Sequence, residues 1–97
     1  MSTKAQLKSW HETLRELGPR QREVVDLLLR CSQGLSAWEI ADRTKRLVHA
    51  VRPRLTELRA MGMVREAGER WEPRTERHEA VWKLTPFDNE GQLEMAI

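Results

Sequence analysis

Apolar residues recur at helical spacing as far as residue 61, and the period then changes to the alternation that is typical of strands. The first apolar stripe has spacings of three, four and three residues and comprises Leu7, Trp10, Leu14 and Leu17. It predicts a helix over residues 3–17. A second helix, predicted over residues 19–32, carries apolar residues on more than one face, so we expect it to be central in the core.

Residues 35–61 carry the signals of two further helices joined by a short basic turn. Ser36 and Glu39 form an S-x-x-E capping box, in which each side chain satisfies a backbone N–H group of the first turn. We therefore expect a helix over residues 37–43 and a longer one over residues 48–61. The buried face of the longer helix is predicted from apolar residues spaced three or four apart: Val48, Val51, Leu55, Leu58 and Met61.

Pro53 lies within the longer of these two helices. A proline inside a helix removes one backbone hydrogen bond and bends the chain. We therefore expect the regular hydrogen-bonded part of this helix to begin only near Ala50.

A β-hairpin is predicted after Gly62, where the apolar period becomes two. The first strand covers residues 63–72 with a bulge at residues 67–68, residues 73–76 form the turn, and the return strand covers residues 77–84. The tail, residues 85–97, has no clear period and is expected to be loosely held.

The four tryptophans carry different expectations. Trp82 shares one strand face with two other apolar residues and is expected in the core. Trp10 is expected in the core or in a dimer contact, and Trp38 at the core edge or near a phosphate. Trp71 is expected near the hairpin tip, either exposed and functional or packed on the hairpin itself.

Length and charge fit one small domain. The chain has 97 residues, 39% hydrophobic and 33% charged, with a net charge of +2. The tail holds Asp88, Glu90 and Glu94 and no base, so the positive charge is concentrated before it. No apolar run approaches the roughly 18 residues of a membrane span, and the N-terminus lacks an apolar secretory core. These features favour a cytoplasmic protein.

Motifs of enzyme chemistry are absent from the sequence. The three histidines are far apart and lack metal-ligand spacing, and neither a phosphate-binding glycine loop nor a nucleophile motif occurs. The single cysteine, Cys31, lies on an apolar side of a helix, where we expect a buried and inert thiol. We therefore expect no enzymatic activity, no cofactor and no small-molecule substrate.

Residues 43–54, which join and include parts of the two helices of residues 35–61, hold five Lys or Arg and no acid. Short helix, tight turn and basic helix is the layout of a helix-turn-helix, in which the second helix enters the major groove of DNA. Contacts with DNA phosphates are predicted for Lys45, Arg46 and Arg54. The alternative for Arg54, and for Arg52 on the same helix, is a solvated charge that pairs with Glu57 or Asp42.

Base contacts are predicted for the exposed side of the longer helix. His49 and Arg52 are expected to reach base edges. Thr56 lies on the same side and is the third DNA-binding residue predicted there. Arg54, two positions after Arg52, cannot point the same way on a helix.

The hairpin adds three cations to the predicted DNA-binding set. Arg70, Arg74 and Arg77 are expected to follow the flanking DNA backbone. Residues 65–77 hold four acids for four bases, however, and this balance suits a protein surface as well as it suits DNA.

Several segments resemble one known family. The segments are L-S-A-W-E-I-A at residues 35–41, V-R-P-R-L-T-E-L at 51–58 with G-M-V after it, and G-E-R-W-E-P-R-T-E-R-H-E-A-V-W at 68–82. They resemble the small winged helix-turn-helix proteins of phage and prophage genomes. Glu76 stands where such proteins tend to have glycine, which argues against a tight left-handed turn there.

The resemblance implies a mostly α, α+β fold. Residues 18–84 would form a winged helix-turn-helix domain with the hairpin as its wing, preceded by an extra helix in residues 1–17. The implied function is sequence-specific binding of double-stranded DNA by a transcriptional regulator or phage accessory protein. The alternative is a winged-helix adaptor that binds protein, including a phage inhibitor of a host complex.

Self-association is a further expectation for the first helix. Its narrow apolar stripe is of the kind that forms a helix–helix seam, and a two-fold dimer would read two half-sites about one helical turn apart. The alternative is that this helix caps its own domain.

Overall fold

A computed structural model of the protein describes residues 4–85, with side chains from residue 7 onward. In this range helices and strands form one α+β unit. The helices are α1 (Lys4–Leu14), α2 (Pro19–Arg30), α3 (Ala37–Thr44) and α4 (Val48–Ala60), and the strands are β1 (Leu35–Ser36), β2 (Val64–Glu72) and β3 (Arg77–Leu84). The predicted helix start at Thr3 and the tail beyond Thr85 lie outside the described residues.

The three strands form an antiparallel sheet in the order β1–β3–β2. The pairing of β2 with β3 shifts between Glu66 and Glu69, which confirms the predicted bulge at residues 67–68. Strand β1 was not predicted, because two residues cannot display an alternating pattern. It places Leu35 opposite Trp82.

The turn of the β2–β3 hairpin differs from the expectation in one respect. Glu76 adopts a left-handed backbone with φ 54°, so the argument against such a turn was wrong. Its backbone N–H donates to the Glu72 carbonyl oxygen at 2.8 Å, and this bond closes the turn. The hydrogen bond therefore holds a conformation that a side chain ordinarily disfavours.

The core lies between the helices and one face of the sheet. Its largest fully buried side chains are Ile40, Leu55, Leu58, Met63, Leu84 and Val25. Helix α2 is central, as predicted, and three of its apolar residues are buried. Met61 is instead exposed, because α4 ends at Ala60 and the chain leaves the buried face there. Trp82 is only partly buried at the core edge, whereas Val81 on the opposite face is buried.

Helix α1 packs on the domain that follows it. Trp10 is buried, and its indole Nε1 donates to the Met63 carbonyl oxygen at 3.2 Å. Leu14 and Leu17 also pack against the core, although the helix ends at Leu14 rather than at residue 17. The apolar stripe thus contacts its own domain, as the alternative held, and the homodimer stays a prediction.

Helix α3 begins at the predicted capping box. Ser36 Oγ accepts from the Glu39 backbone N–H at 3.2 Å, and Glu39 Oε1 accepts from the Ser36 N–H at 2.9 Å. Helix α4 begins at Val48, as predicted, and continues past Pro53. The Leu47 carbonyl oxygen accepts from the N–H groups of Ala50 and Val51, at 2.9 and 3.3 Å. The proline leaves the His49 carbonyl without its helical donor, and His49 is exposed, so water can satisfy that carbonyl.

Candidate nucleic-acid interface

Helices α3 and α4 are joined by a turn of three residues, Lys45, Arg46 and Leu47. Lys45 has a left-handed backbone with φ 59° and ψ 39°, and it caps α3. The Arg46 N–H donates to the Ala41 carbonyl at 3.0 Å, which tightens the turn. The Lys45 side chain is exposed, and within the described residues its ammonium group makes no ion pair.

Helix α4 buries one face and exposes the other. Val48, Val51, Leu55 and Leu58 are buried. The predicted exposed side is exposed as expected and comprises His49, Arg52, Pro53 and Thr56. This division follows from apolar residues at every third or fourth position, which line one side of a helix.

The polar groups on this side differ in how firmly they are held. Arg52 Nη2 lies 3.3 Å from Glu79 Oε1 on β3, while half of the Arg52 side chain stays exposed. Thr56 Oγ1 donates to the Arg52 carbonyl at 3.2 Å. His49 makes no hydrogen bond or ion pair with the part of the chain that the structure describes, so its ring is available to a partner.

Two of the predicted phosphate contacts are paired with acids instead, Arg46 with Glu23 of α2 and Arg54 with Glu57 of α4. Arg46 Nε donates to Glu23 Oε1 at 2.7 Å. Arg54 makes two bonds to Glu57, of 2.8 and 2.9 Å, and Glu57 also accepts from Gln21 of α2 at 3.0 Å. Arg54 therefore pairs with Glu57, as the alternative to a phosphate contact predicted.

These pairs change the titration of the acids involved. The guanidinium of Arg46 lowers the pKa of Glu23 by hydrogen bonding, and Arg54 does the same for Glu57. Both carboxyls are accordingly charged at neutral pH, and each neutralises a cation that the sequence assigned to DNA.

The hairpin cations lie against α3. Arg70 pairs with Glu39, and Arg74 makes two bonds to Asp42, of 2.9 and 3.0 Å. The Arg74 guanidinium also lies 4.9 Å from the ring centre of Trp38. Arg77 is exposed, and its side chain makes no hydrogen bond or ion pair to any residue in the range 4–85.

Sequence reasoning missed the acids that face these cations. Glu39 is on α3, Glu23 on α2 and Glu79 on β3, and each meets an arginine more than 20 positions away. Periodicity reports which face a residue occupies but not which distant charge it meets. Asp42 was considered as a partner, but its cation is Arg74 of the hairpin.

The tryptophans at the hairpin and at α3 behave differently. Trp71 is 53% exposed and meets His78 edge to face, with ring centroids 5.4 Å apart. Trp38 packs partly buried against the core, and its buried indole Nε1 has no hydrogen-bond partner among the described residues. An exposed aromatic ring is a contact that a partner molecule can use, whereas Trp38 is occupied by packing.

A charged cleft of about 550 Å³ lies between α2 and the end of α3. Its lining includes Arg22, Arg30, Arg43 and Lys45, together with Glu23 and Asp26. Arg43 donates to the Cys31 Sγ atom at 2.9 Å, and Cys31 is half-buried rather than buried as expected. The cleft lining thus carries charges of both signs.

Within residues 4–85 no three or more His, Cys, Asp or Glu side chains are grouped as metal ligands would be. No helix in that range has the length and apolar character required to cross a bilayer. No family model, curated protein or solved structure matches the chain.

Proposed function

We propose that the chain is a winged helix-turn-helix protein that binds double-stranded DNA, with α4 in the major groove and the β2–β3 hairpin as the wing. The observation that carries the proposal is the polar exposed side of α4, next to an exposed basic turn. The order of the elements supports it, because a three-residue turn between two helices is typical of helix-turn-helix proteins. The hairpin that follows α4 is where a wing is expected.

The roles of the residues follow from how each side chain is held. His49 is unpaired among the described residues, and Arg52 is half exposed on the same side, so these two would read base edges beside Thr56. Lys45, exposed at the turn, would contact a phosphate. Arg46 and Arg54 would serve chiefly to fix the turn and α4 against α2, because Glu23 and Glu57 hold their guanidinium groups.

A salt titration with a mixed-sequence duplex tests DNA binding directly. We expect Lys45→Ala to weaken binding and to reduce the slope of log affinity against log salt by about 0.9, the value for one phosphate contact. Lys8→Ala is the matched control, since Lys8 is an exposed cation of α1, outside the proposed interface. Equal slopes for the wild type and Lys45→Ala would remove the turn from the interface.

Sequence specificity requires a second experiment. After selection of a preferred site from random duplexes, Arg52→Ala should cost about 1–3 kcal/mol on that site and much less on unrelated DNA. Such selectivity would fit a transcriptional regulator or a phage accessory protein. Equal losses on both duplexes would mean that Arg52 contacts only the backbone.

A second candidate function is a protein-binding adaptor, including a phage inhibitor of a host complex. The favouring observation is that Arg46, Arg52, Arg54, Arg70 and Arg74 all have acidic partners within the chain. Leu47 is 76% exposed and Trp71 53%, and such side chains suit protein contacts. Absence of duplex binding at about 50 mM salt, where phosphate contacts are strong, would favour the adaptor.

A further inference from the structure

The β2–β3 hairpin is attached to α3 by its own predicted DNA-binding cations. Arg74 donates two parallel bonds to Asp42, the fork geometry that guanidinium groups adopt with carboxylate and with phosphate alike. Arg70 pairs with Glu39 one helical turn earlier on α3. Both acids therefore stand where DNA phosphates would stand if these arginines followed a duplex backbone.

Arg74 is oriented towards α3 by Glu72. The Glu72 carboxylate is buried and accepts from the Arg74 backbone N–H at 3.0 Å and from its Nε at 2.7 Å. Arg74 Nη2 also donates to Glu72 Oε1, at 3.2 Å. These bonds fix the side chain in the direction in which its outer nitrogens, Nη1 and Nη2, meet Asp42. The Trp38 ring lies on the other side of the contact, 4.9 Å from the guanidinium carbon.

The exposed side of α4 is tied to the hairpin in the same way. Glu79 of β3, whose side chain is 12% exposed, lies 3.3 Å from Arg52 Nη2 and also accepts from Thr75 Oγ1 at 3.0 Å. An arginine assigned to base reading is thus held by an acid of the hairpin.

We propose that Asp42 and Glu39 act as internal substitutes for DNA phosphates and Glu79 for a base edge, and that duplex binding transfers the arginines from these carboxylates to the DNA. The inference rests on the proposed function and adds regulation of the same site: the free protein is self-inhibited by its own acids. The Arg74–Asp42 pair is exposed, with 44% and 59% of the two side chains accessible, and exposed ion pairs are weak because water screens them. The strong field of a duplex can therefore displace them.

Asp42→Asn is the sharpest test of this exchange. Asp42 is exposed and pairs with Arg74 alone, whereas Glu39 also caps α3 and cannot be changed cleanly. Asp26→Asn is the matched control, because Asp26 is a partly exposed acid of α2 paired with Arg22, and the substitution removes the same charge. Thermal denaturation of both variants verifies that each is folded.

We expect Asp42→Asn to bind a mixed-sequence duplex about two- to fivefold more tightly than Asp26→Asn, as loss of one exposed pair implies. Its salt slope should be steeper by up to about 0.9, because Arg74 becomes available to a phosphate. Equal binding by the two variants, or weaker binding by Asp42→Asn, would overturn the inference while leaving DNA binding intact. Absence of binding by the wild type and both variants would overturn the proposed function and the inference together.

A carboxyl titration in the wild type gives an independent readout. Hydrogen bonds from Arg74 hold the pKa of Asp42 below its ordinary value in the free protein. NMR of the Asp42 carboxyl carbon should show this pKa rising when saturating duplex is added, since Arg74 leaves and phosphates approach. An unchanged pKa in the bound state would contradict the exchange.

Discussion

Lys45 and Glu76 adopt a left-handed backbone although neither is glycine, with φ of 59° and 54°. Each stands at a turn that shapes the proposed interface, the first between α3 and α4 and the second at the hairpin tip. Such a backbone costs a residue with a Cβ atom roughly 1–2 kcal/mol. The fold therefore stores a small strain at both turns.

Glu76→Gly should relieve that strain and raise the free energy of unfolding by about 0.5–1 kcal/mol, less than the full strain because glycine is freer in the unfolded chain. Thermal denaturation would show the gain as a higher melting temperature. Gln33→Gly is the control, because Gln33 is an exposed turn residue without a positive φ, and this variant should lose stability. A fall in melting temperature for Glu76→Gly would contradict the expected relief.

Gly34 is required for a different reason, the closeness of its neighbours. A Cβ added there would lie 2.6 Å from Val81 Cγ1 and 2.9 Å from the Trp82 carbonyl oxygen, at φ +87°. Gly34→Ala should therefore destabilise the protein by about 3 kcal/mol or more, combining backbone strain with overpacking.

Gly62→Ala separates these two effects. Gly62 has φ +77°, but a Cβ there would meet nothing within 4 Å. Its substitution should cost the backbone strain less the gain from a stiffer unfolded chain, about 0.5–1 kcal/mol in all. Urea denaturation of both variants gives the comparison, and equal losses would mean that the crowding at Gly34 is relieved by small movements.

At the scale of the elements, α1 belongs to the folded unit through Trp10. The indole is buried and its N–H is bonded to the Met63 carbonyl, just before β2. Trp10→Ala should lower the free energy of unfolding by about 3–5 kcal/mol, the range for buried large aromatic residues.

Calorimetry of Trp10→Ala tests this attachment, with the exposed neighbour His11→Ala as control. His11 contacts the Trp10 ring edge to face but is itself exposed, and His11→Ala should therefore have only a small effect. A melting temperature unchanged in Trp10→Ala would show that α1 contributes little to the fold.

The sequence predicted the elements better than their mutual contacts. Residues 37–44 were recognisable because Ser36 and Glu39 cap the helix locally and leave a readable signature. By contrast, the two residues of β1 form a strand through their pairing with β3, so no local sequence pattern predicts this strand. The same holds for the candidate site, where exposure of Arg52 was predictable but its distant partner Glu79 was not.

At the scale of the whole molecule, carboxylates tie separate elements together. Glu23 links α2 to the turn, and Asp42 links α3 to the hairpin. Glu57, on α4, is bonded to Gln21 of α2. Arginine hydrogen bonds lower the pKa of each of these acids.

These lowered pKa values predict that acid destabilises the fold. The pairs contribute stability above the ordinary carboxyl pKa, 4.5 for glutamate and 3.8 for aspartate, and the contribution is lost as the pH falls through the lower folded-state pKa. The melting temperature should therefore decline as the pH is lowered below about 5. Glu57→Gln should make this decline shallower.

The control for the acid experiment is Glu12→Gln. Glu12 is exposed on α1 and forms no ion pair with the described residues, so its substitution should leave the decline as steep as in the wild type. If Glu57→Gln and Glu12→Gln behaved alike, the Arg54–Glu57 pair would not contribute to the acid response.

Ser36 belongs to two structures at once, since it pairs with Val81 in the sheet and also caps α3. Val81, its partner in the sheet, is synthesised 45 residues after Ser36. A ribosome adds about 5–20 residues per second, so roughly 2–9 s separate the two events. During that interval the apolar sides of α3 and α4 lack their sheet, and the nascent chain is open to chaperones and proteases until β3 emerges.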